Sequence, residues 1–400
     1  MAKFWVTRIG SVLLALGMVI LLDRMVHQVF DDYIVRMVTL AGLYVTLSVS
    51  FNLINGITGK FSIGHAGFYM IGAYTAGALS KYFYEANPFD APLWVIMMLL
   101  CGALTAAIAG IIVGLPSLRL KGDYLAIVTL GFGEIIRIIA INQEQVGGAY
   151  GFNFAPKFPA IWLVWLLAII CIAVCRNLLK TAHGLAFLAV REDEVAAQAM
   201  GVNLTKTKVI AFVVGAAFAG AAGALFAHNE GFLTPDFFKM EVSFLVLTMV
   251  VIGGTGSITG AVLAGATLFA IPELPRILPF TISLGMLLGL FVGVIAMVAT
   301  IRRITSHYHG PRGRRGLITA GAVIGSMLAG ALLGAALNMI PALADVVYEA
   351  NKIRWMILAV TLLVVMLVRP QGVMAHHEFS WDWVKKVLSS KRSVVEVEPK

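Results

Sequence analysis

The sequence predicts an all-α fold: a polytopic helical membrane protein with about ten or eleven apolar segments, some of them broken or re-entrant. Three observations carry that expectation. First, 60% of the 400 residues are apolar before the 40 glycines are counted, and 13% are charged, against about 25% in a soluble domain. Second, the mean hydropathy of +0.90 leaves too little polar surface to wrap a water-soluble globule of this size. Third, lysines and arginines gather in short connections between apolar runs, as membrane orientation requires. The net charge of +9 therefore reads as an orientation signal, and no nucleic-acid partner is expected.

The first run, within 4 to 22, follows Lys3 and Arg8 and leads into Asp23 and Arg24 without a small-x-small cleavage site, so it is expected to remain as an anchor. Further runs lie at 37 to 56, 61 to 80, 93 to 115, 123 to 142, 158 to 175, 207 to 228, 242 to 271, 277 to 300, 317 to 340 and 355 to 368. Most are near the ~20 residues a helix needs to cross hydrocarbon, and they are too continuous for barrel strands. Cys101, Cys171 and Cys175 all sit inside these runs; their odd number makes no disulfide framework, and packing is the expected role. Small residues recur every four positions at Ala211, Gly215, Ala219, Gly223 and Ala227, which puts them on one helix face and lets another helix approach closely. Gly256, Gly260 and Ala264 repeat the spacing, as do Gly321, Gly325 and Ala329.

Charge orients the runs. The connections holding Arg119 and Lys121, Arg176 to Lys208, and Arg302 to Arg315 are basic and are expected in the cytoplasm; those around Glu85 and Asp90, Glu144, Glu230 to Glu241 and Asp345 to Glu349 are poor in basic residues. If the run from Val242 to Ile271 crossed once, the five arginines at 302, 303, 312, 314 and 315 would lie outside. Gly253, Gly254, Gly256 and Ser257 form a turn-making cluster inside that run. It is therefore predicted to be a broken, returning pair of short helices, the alternative being one tilted helix kinked at its glycines.

Three polar stretches are candidate sites. Asn52, Asn55, Thr58, Ser62 and His65 stand among Gly56, Gly59, Gly64 and Gly67 between two runs. Polar groups at that depth need partners or water, so these residues, with Thr129 and Glu134, are expected to line a substrate path; the alternative is a cytoplasmic turn marked by Lys60. Glu134 and Arg137, three apart on a helix, pair structurally or leave Glu134 as a gate or proton site. The third stretch carries Arg191, Glu192, Asp193, Glu194, Ala196, Ala197 and Gly201. It is predicted to be a short amphipathic helix ending at Gly201, with Asn203 capping the next helix. Leu185, Leu188, Val195 and Met200 make it a docking element for a partner, or a helix lying on lipid. No catalytic residue and no metal site are expected. Gly59-Lys60 is followed by Phe61, with Ile54 where a phosphate-binding loop would begin, and no zinc-protease or serine-hydrolase motif occurs.

The stretches Gly56 to Phe68, Gly122 to Leu130, Arg191 to Glu194, Val250 to Ser257 and Arg369 to Gly372 together resemble the permease subunits of high-affinity branched-chain amino-acid ABC importers, specifically the M-type partner. The resemblance implies a bacterial inner-membrane importer with both termini of this chain cytoplasmic. Its partners would be a second permease subunit, two ATP-binding cassette subunits and a periplasmic solute-binding protein. ATP and Mg would be used by the cassette subunits, with no cofactor bound by this chain. The elbow would be the coupling loop, within 184–206. Residues 1–375 would form the permease domain, with an extra helical hairpin at about 277–330, and 376–400 a cytoplasmic polar tail. Two departures stand out: Val195 occupies the place where the importer loop motif carries Glu, with Glu194 one residue earlier, and Gly321 to Asp345 looks like a second version of Gly260 to Pro275. Related permeases carry urea or short amides, and an ion-coupled secondary transporter would use similar helix breaks but would not need the elbow.

The orientation argument is testable. A reporter active only in the periplasm is expected to be silent when fused after Ile301 and active when fused near Asp345. The opposite pattern would show that Val242 to Ile271 crosses once.

Overall fold

The computed structural model describes residues 17–21, 23–86, 89–117, 123–158, 160–273, 281–307, 312–368, 372–374 and 378. The anchor residues 1–16, the basic connection 118–122, residues 308–311 of the arginine-rich connection and the tail 379–400 lie outside them. The described chain is almost wholly helical. After helical residues 17–21 and 23–29 come α1 (Asp32–Asn52), which runs into a π-helical turn (Leu53–Ile57), then α2 (His65–Phe83), α3 (Ala91–Ser117), α4 (Asp123–Asn142) and α5 (Ile161–Leu179). The elbow comprises α6 (Ala182–Glu192) and α7 (Glu194–Ala199), followed by α8 (Leu204–Glu230), α9 (Met240–Gly253) and α10 (Ile258–Leu268). The chain closes with α11 (Leu284–His307), α12 (Arg312–Leu337), α13 (Pro341–Ala344) and α14 (Ala350–Val368). Among the described residues, five helical stretches are long and apolar enough to cross a membrane: Asp32–Ile57, Ala91–Leu115, Tyr124–Asn142, Ile161–Leu179 and Leu204–Glu230. The chain is a multi-pass membrane protein.

Helix α8 is the central post, and its small residues explain why. A Cβ on Gly223 would strike the Tyr69 carbonyl of α2, and one on Gly215 would lie 2.7 Å from Ile54 Cδ1. That is the face marked by the four-residue spacing. A second face, carrying Ala216, Gly220 and Ala224, packs on Gly110 and Gly102 of α3. With both faces small, α2 and α3 close on α8 from two sides, so the gain is dispersion between backbones rather than burial of large side chains. The spacing at Gly321 and Gly325 does not mark a contact: both face open space, and α12 meets α11 through Gly330, which a Cβ on Gly293 would approach to 3.0 Å.

The run after Lys239 breaks and returns. Helices α9 and α10 have 14 and 11 residues, about 21 and 17 Å long at ~1.5 Å per residue, each short of the ~30 Å hydrocarbon core. Gly254 and Gly256 turn the chain with φ of 115° and 93°, values that L side chains rarely adopt. The start of α9 (Val242, Leu245) and the residues after α10 (Phe269, Pro272) line one cavity, so the pair ends where it began. Along the way α10 runs antiparallel to α1: Ser48 Oγ donates to the Ala261 carbonyl at 2.8 Å, and Phe269 stacks on Tyr44. Beyond it, α11 and α12 pack on each other at the periphery. Antiparallel strands β1 (Thr281–Ser283) and β2 (Val347–Glu349) tie the start of α11 to the start of α14.

Gly72→Leu and Gly223→Leu are each expected to lower stability by at least the ~1–3 kcal/mol of an overpacked core, read as thermal unfolding of the purified protein in detergent. Gly325→Leu is expected to change it by less than about 0.5 kcal/mol.

Candidate functional site: an elbow clamped to two helix breaks

The π-helical turn after α1 and the turn between α9 and α10 lie against each other. Asn52 bolts them together: its Oδ1 accepts from the Gly256 N–H at 2.9 Å and its Nδ2 donates to the Ser257 carbonyl at 3.1 Å. Only glycine fits at 56, because a Cβ there would collide with Asn52 Oδ1 and the Gly256 nitrogen. The loop that follows is held by side chains standing in for lost helix bonds. Thr58 Oγ1 donates to the Ile54 carbonyl at 2.6 Å. The Asn55 carboxamide exchanges two bonds with the Ser62 backbone at 3.0 and 3.2 Å, and Thr129 Oγ1 on α4 accepts from the Ile63 N–H at 3.0 Å. His65 Nε2 lies 2.9 Å from Ser50 Oγ, its ring edge-on to Phe51.

Most of the residues expected to line a path are buried in this arrangement. Asn52 is 0% exposed, and Thr58, Ser62, His65 and Thr129 are each 1% exposed. They are enclosed by the chain, and Asn55, half-buried, is engaged as well. A helix broken at membrane depth frees backbone groups that lipid cannot satisfy; the side chains of Asn52, Asn55, Thr58 and Thr129 satisfy them. Glu134 stands apart from the cluster, accepting from Arg137 Nε at 2.8 Å on the partly exposed side of α4.

The elbow is two helices where one was expected. Asp193 breaks them with φ −157° and ψ 117°, and its carboxylate caps α7 by accepting from Val195 and Ala196 N–H at 2.7 and 3.0 Å. The competition of a short acidic side chain with the helix backbone explains the break. Helix α7 ends at Ala199 through a Schellman closure, Val202 N–H to the Ala197 carbonyl at 3.0 Å, with Gly201 at φ 86°. Asn203 caps α8 by accepting from Lys206 N–H at 2.9 Å.

One side of the elbow grips both breaks. The stem of Arg191 lies against Gly59, and its guanidinium against Gly256. The Glu194 carboxylate bridges Lys60 and Lys208, the latter at 2.7 Å. Burial, and then the Lys208 ammonium, hold the Lys60 amine down at about 8, still charged at neutral pH. Sequence reasoning missed Lys60 and Lys208 as partners of Glu194. The available signal was two lysines bordering apolar spans, each needing an acid. The C-terminal segment grips the same turn: Val373 and Met374 N–H donate to Ile252 and Gly253 carbonyls at 2.7 and 3.1 Å. The Glu378 carboxylate accepts from Ile258 N–H at 2.6 Å, capping α10. The other side of the elbow is bare and apolar, with Leu185 70%, Val195 75% and Met200 85% exposed; Glu192 and Ala196 are exposed beside them while Ala197 is buried. Among the described residues no group of three His, Cys, Asp or Glu is placed to hold a metal ion.

Fold and site together define a polytopic membrane protein in which an exposed elbow is packed against paired helix breaks. The chain belongs to the family described as branched-chain amino acid transport system / permease component, whose profile matches residues 33–274. It is similar to the high-affinity branched-chain amino acid transport system permease protein LivM of Salmonella typhimurium and of Escherichia coli strain K12. Each is 36% identical over 277 residues, covering 60% of this chain and 63% of the relative. It is also similar to LivH of Escherichia coli strain K12, 24% identical over 255 residues, covering 58% of this chain and 81% of the relative. The chain thus spans less than two thirds of the length of the LivM relatives. No solved structure is significantly similar to it. The family match stops short of β1, α11, α12, α13, β2 and α14.

Glu194→Gln is expected to release the elbow, because it leaves two ammonium groups facing a neutral amide; charged hydrogen bonds of this kind contribute about 1.5–3 kcal/mol. Hydrogen exchange should then quicken at Val195 to Val202, while Glu192→Gln leaves it unchanged.

Proposed function

We propose that this chain is the transmembrane permease subunit of an ATP-driven importer of branched-chain amino acids in a bacterial inner membrane. It acts with a second permease subunit, two ATP-binding cassette subunits and a periplasmic solute-binding protein. The cassette subunits use ATP and Mg, and this chain binds no cofactor. The observation that carries the reading is the two-sided elbow: an apolar surface left exposed among the described residues on one side, and Arg191 and Glu194 anchored to both helix breaks on the other. A partner that pulls on the first side moves the second. The family supports the transport role, and the likeness to both LivM and LivH of one organism supports a paired permease.

The same sorting supports one sidedness. The elbow, the Gly254 to Ser257 turn and residues 372–374 lie at one end, taken as cytoplasmic together with both termini. Glu230, Asp236 and Glu273 lie at the other. An ion-coupled mechanism has less support, since the Glu134 carboxylate is held by Arg137 and the bare elbow would have no task.

Val195→Arg and Met200→Glu change side chains that are 75% and 85% exposed, so folding should be kept. Loss of a docking contact typically costs about 2 kcal/mol, roughly a thirtyfold drop in association. ATPase-subunit pull-down and leucine uptake should both fall accordingly while membrane levels stay constant; normal values in both assays would remove the elbow from the mechanism.

A further inference from the structure

At the end opposite the elbow, a cavity of about 160 Å³ opens between α1, α2, α8, α9 and α14. Its inner wall is apolar and buried: Leu40, Val242 and Leu245 with the rings of Tyr69, Phe226 and Phe269. Its mouth carries both signs of charge, Arg36 on one side and, on the other, Glu273 and Asp236, the latter paired with Lys239 at 3.1 Å. A dry cavity of roughly 150 Å³ takes up a molecule the size of benzene, so this one has room for a four-carbon branched alkyl group. Arg36 is prepared for an anion. Its Nε is engaged by Glu230 at 3.0 Å, and among the described residues its two Nη groups make no hydrogen bond, leaving the planar fork that matches a carboxylate.

We propose that this cavity binds one free α-amino acid with a branched aliphatic side chain, the alkyl group inward, the carboxylate on Arg36 and the ammonium facing Asp236 and Glu273. The assignment rests on the reading of the chain as an amino-acid permease and gives that reading a site within this subunit. An apolar pocket with a few converging polar groups is the usual form of a small-molecule site, and opposed charges at its mouth select a zwitterion over singly charged or neutral solutes. The wall also joins the site to the rest of the machine. Val242 and Leu245 belong to α9 and Phe269 follows α10, so a bound side chain touches both legs of the pair whose turn is held at the other end by Asn52 and Arg191.

The test uses the full chain in lipid nanodiscs with radiolabelled leucine, alongside ATP-dependent uptake by the whole transporter in proteoliposomes. Leucine should bind and be displaced by isoleucine and valine. Isopentylamine and 4-methylpentanoate, each lacking one charge, should compete at least tenfold more weakly. Arg36→Gln should weaken binding tenfold or more. Because that change also breaks the pair with Glu230, the double variant Arg36→Glu, Glu230→Arg serves as its control: it restores the ion pair and melting temperature but not binding. Val242→Trp, which fills the cavity, should abolish binding. Leucine uptake by the wild-type transporter with binding absent, or unchanged in Arg36→Gln and Val242→Trp, would overturn the site and leave the importer reading standing. Failure of leucine both to bind and to be taken up, with urea transported instead, would overturn both.

Discussion

A protein backbone interrupted inside a bilayer must find its hydrogen-bond partners within the protein, and this constraint organises the whole chain. It explains why two breaks far apart in sequence, after Asn52 and after Gly253, are built as one object: each supplies what the other lacks. Asn52 gives one helix end an acceptor and a donor that its own ladder no longer provides. Glycines at 56 and 256 remove the side chains that would keep the two backbones apart. Polar residues that look like the wall of a passage are in this sense mortar.

The same economy of side chains recurs in α8. Because lipid is as apolar as leucine, helices gain little by burying large residues against each other and more by bringing backbones close. Two small faces on one helix let it serve α2 and α3 at once. The peripheral pair α11 and α12 uses glycine for the same purpose at 293 and 330, yet leaves Gly321 and Gly325 uncovered.

Much of this was legible in the sequence, for physical reasons that also mark the limits. The returning pair could be read because charge counting and a glycine cluster made independent demands on one apolar run. The elbow could be read from a charged amphipathic stretch ending in Gly201 and Asn203. What could not be read was partnership across the chain. Spacing identifies a face but not what covers it, which is why Gly321 and Gly325 misled. Polarity shows that Ser62 or His65 needs a partner but not whether that partner is water or protein. Glu194 meets Lys60 and Lys208 only because the loop after the first break lies beneath the elbow, and no local pattern carries that information. The split at Asp193 was available in principle, since an aspartate three residues before Ala196 is a natural helix start.

The cap on α10 has a consequence in time. Glu378 meets Ile258 across 120 residues of chain, and at roughly 5–20 residues per second of synthesis those residues take about 6–24 s to emerge. For that interval the returning pair is in the membrane with the amides of its second helix still unanswered by their final acceptor. The turn that later links elbow to membrane is therefore among the last parts of the molecule to set, after every span that surrounds it has been made.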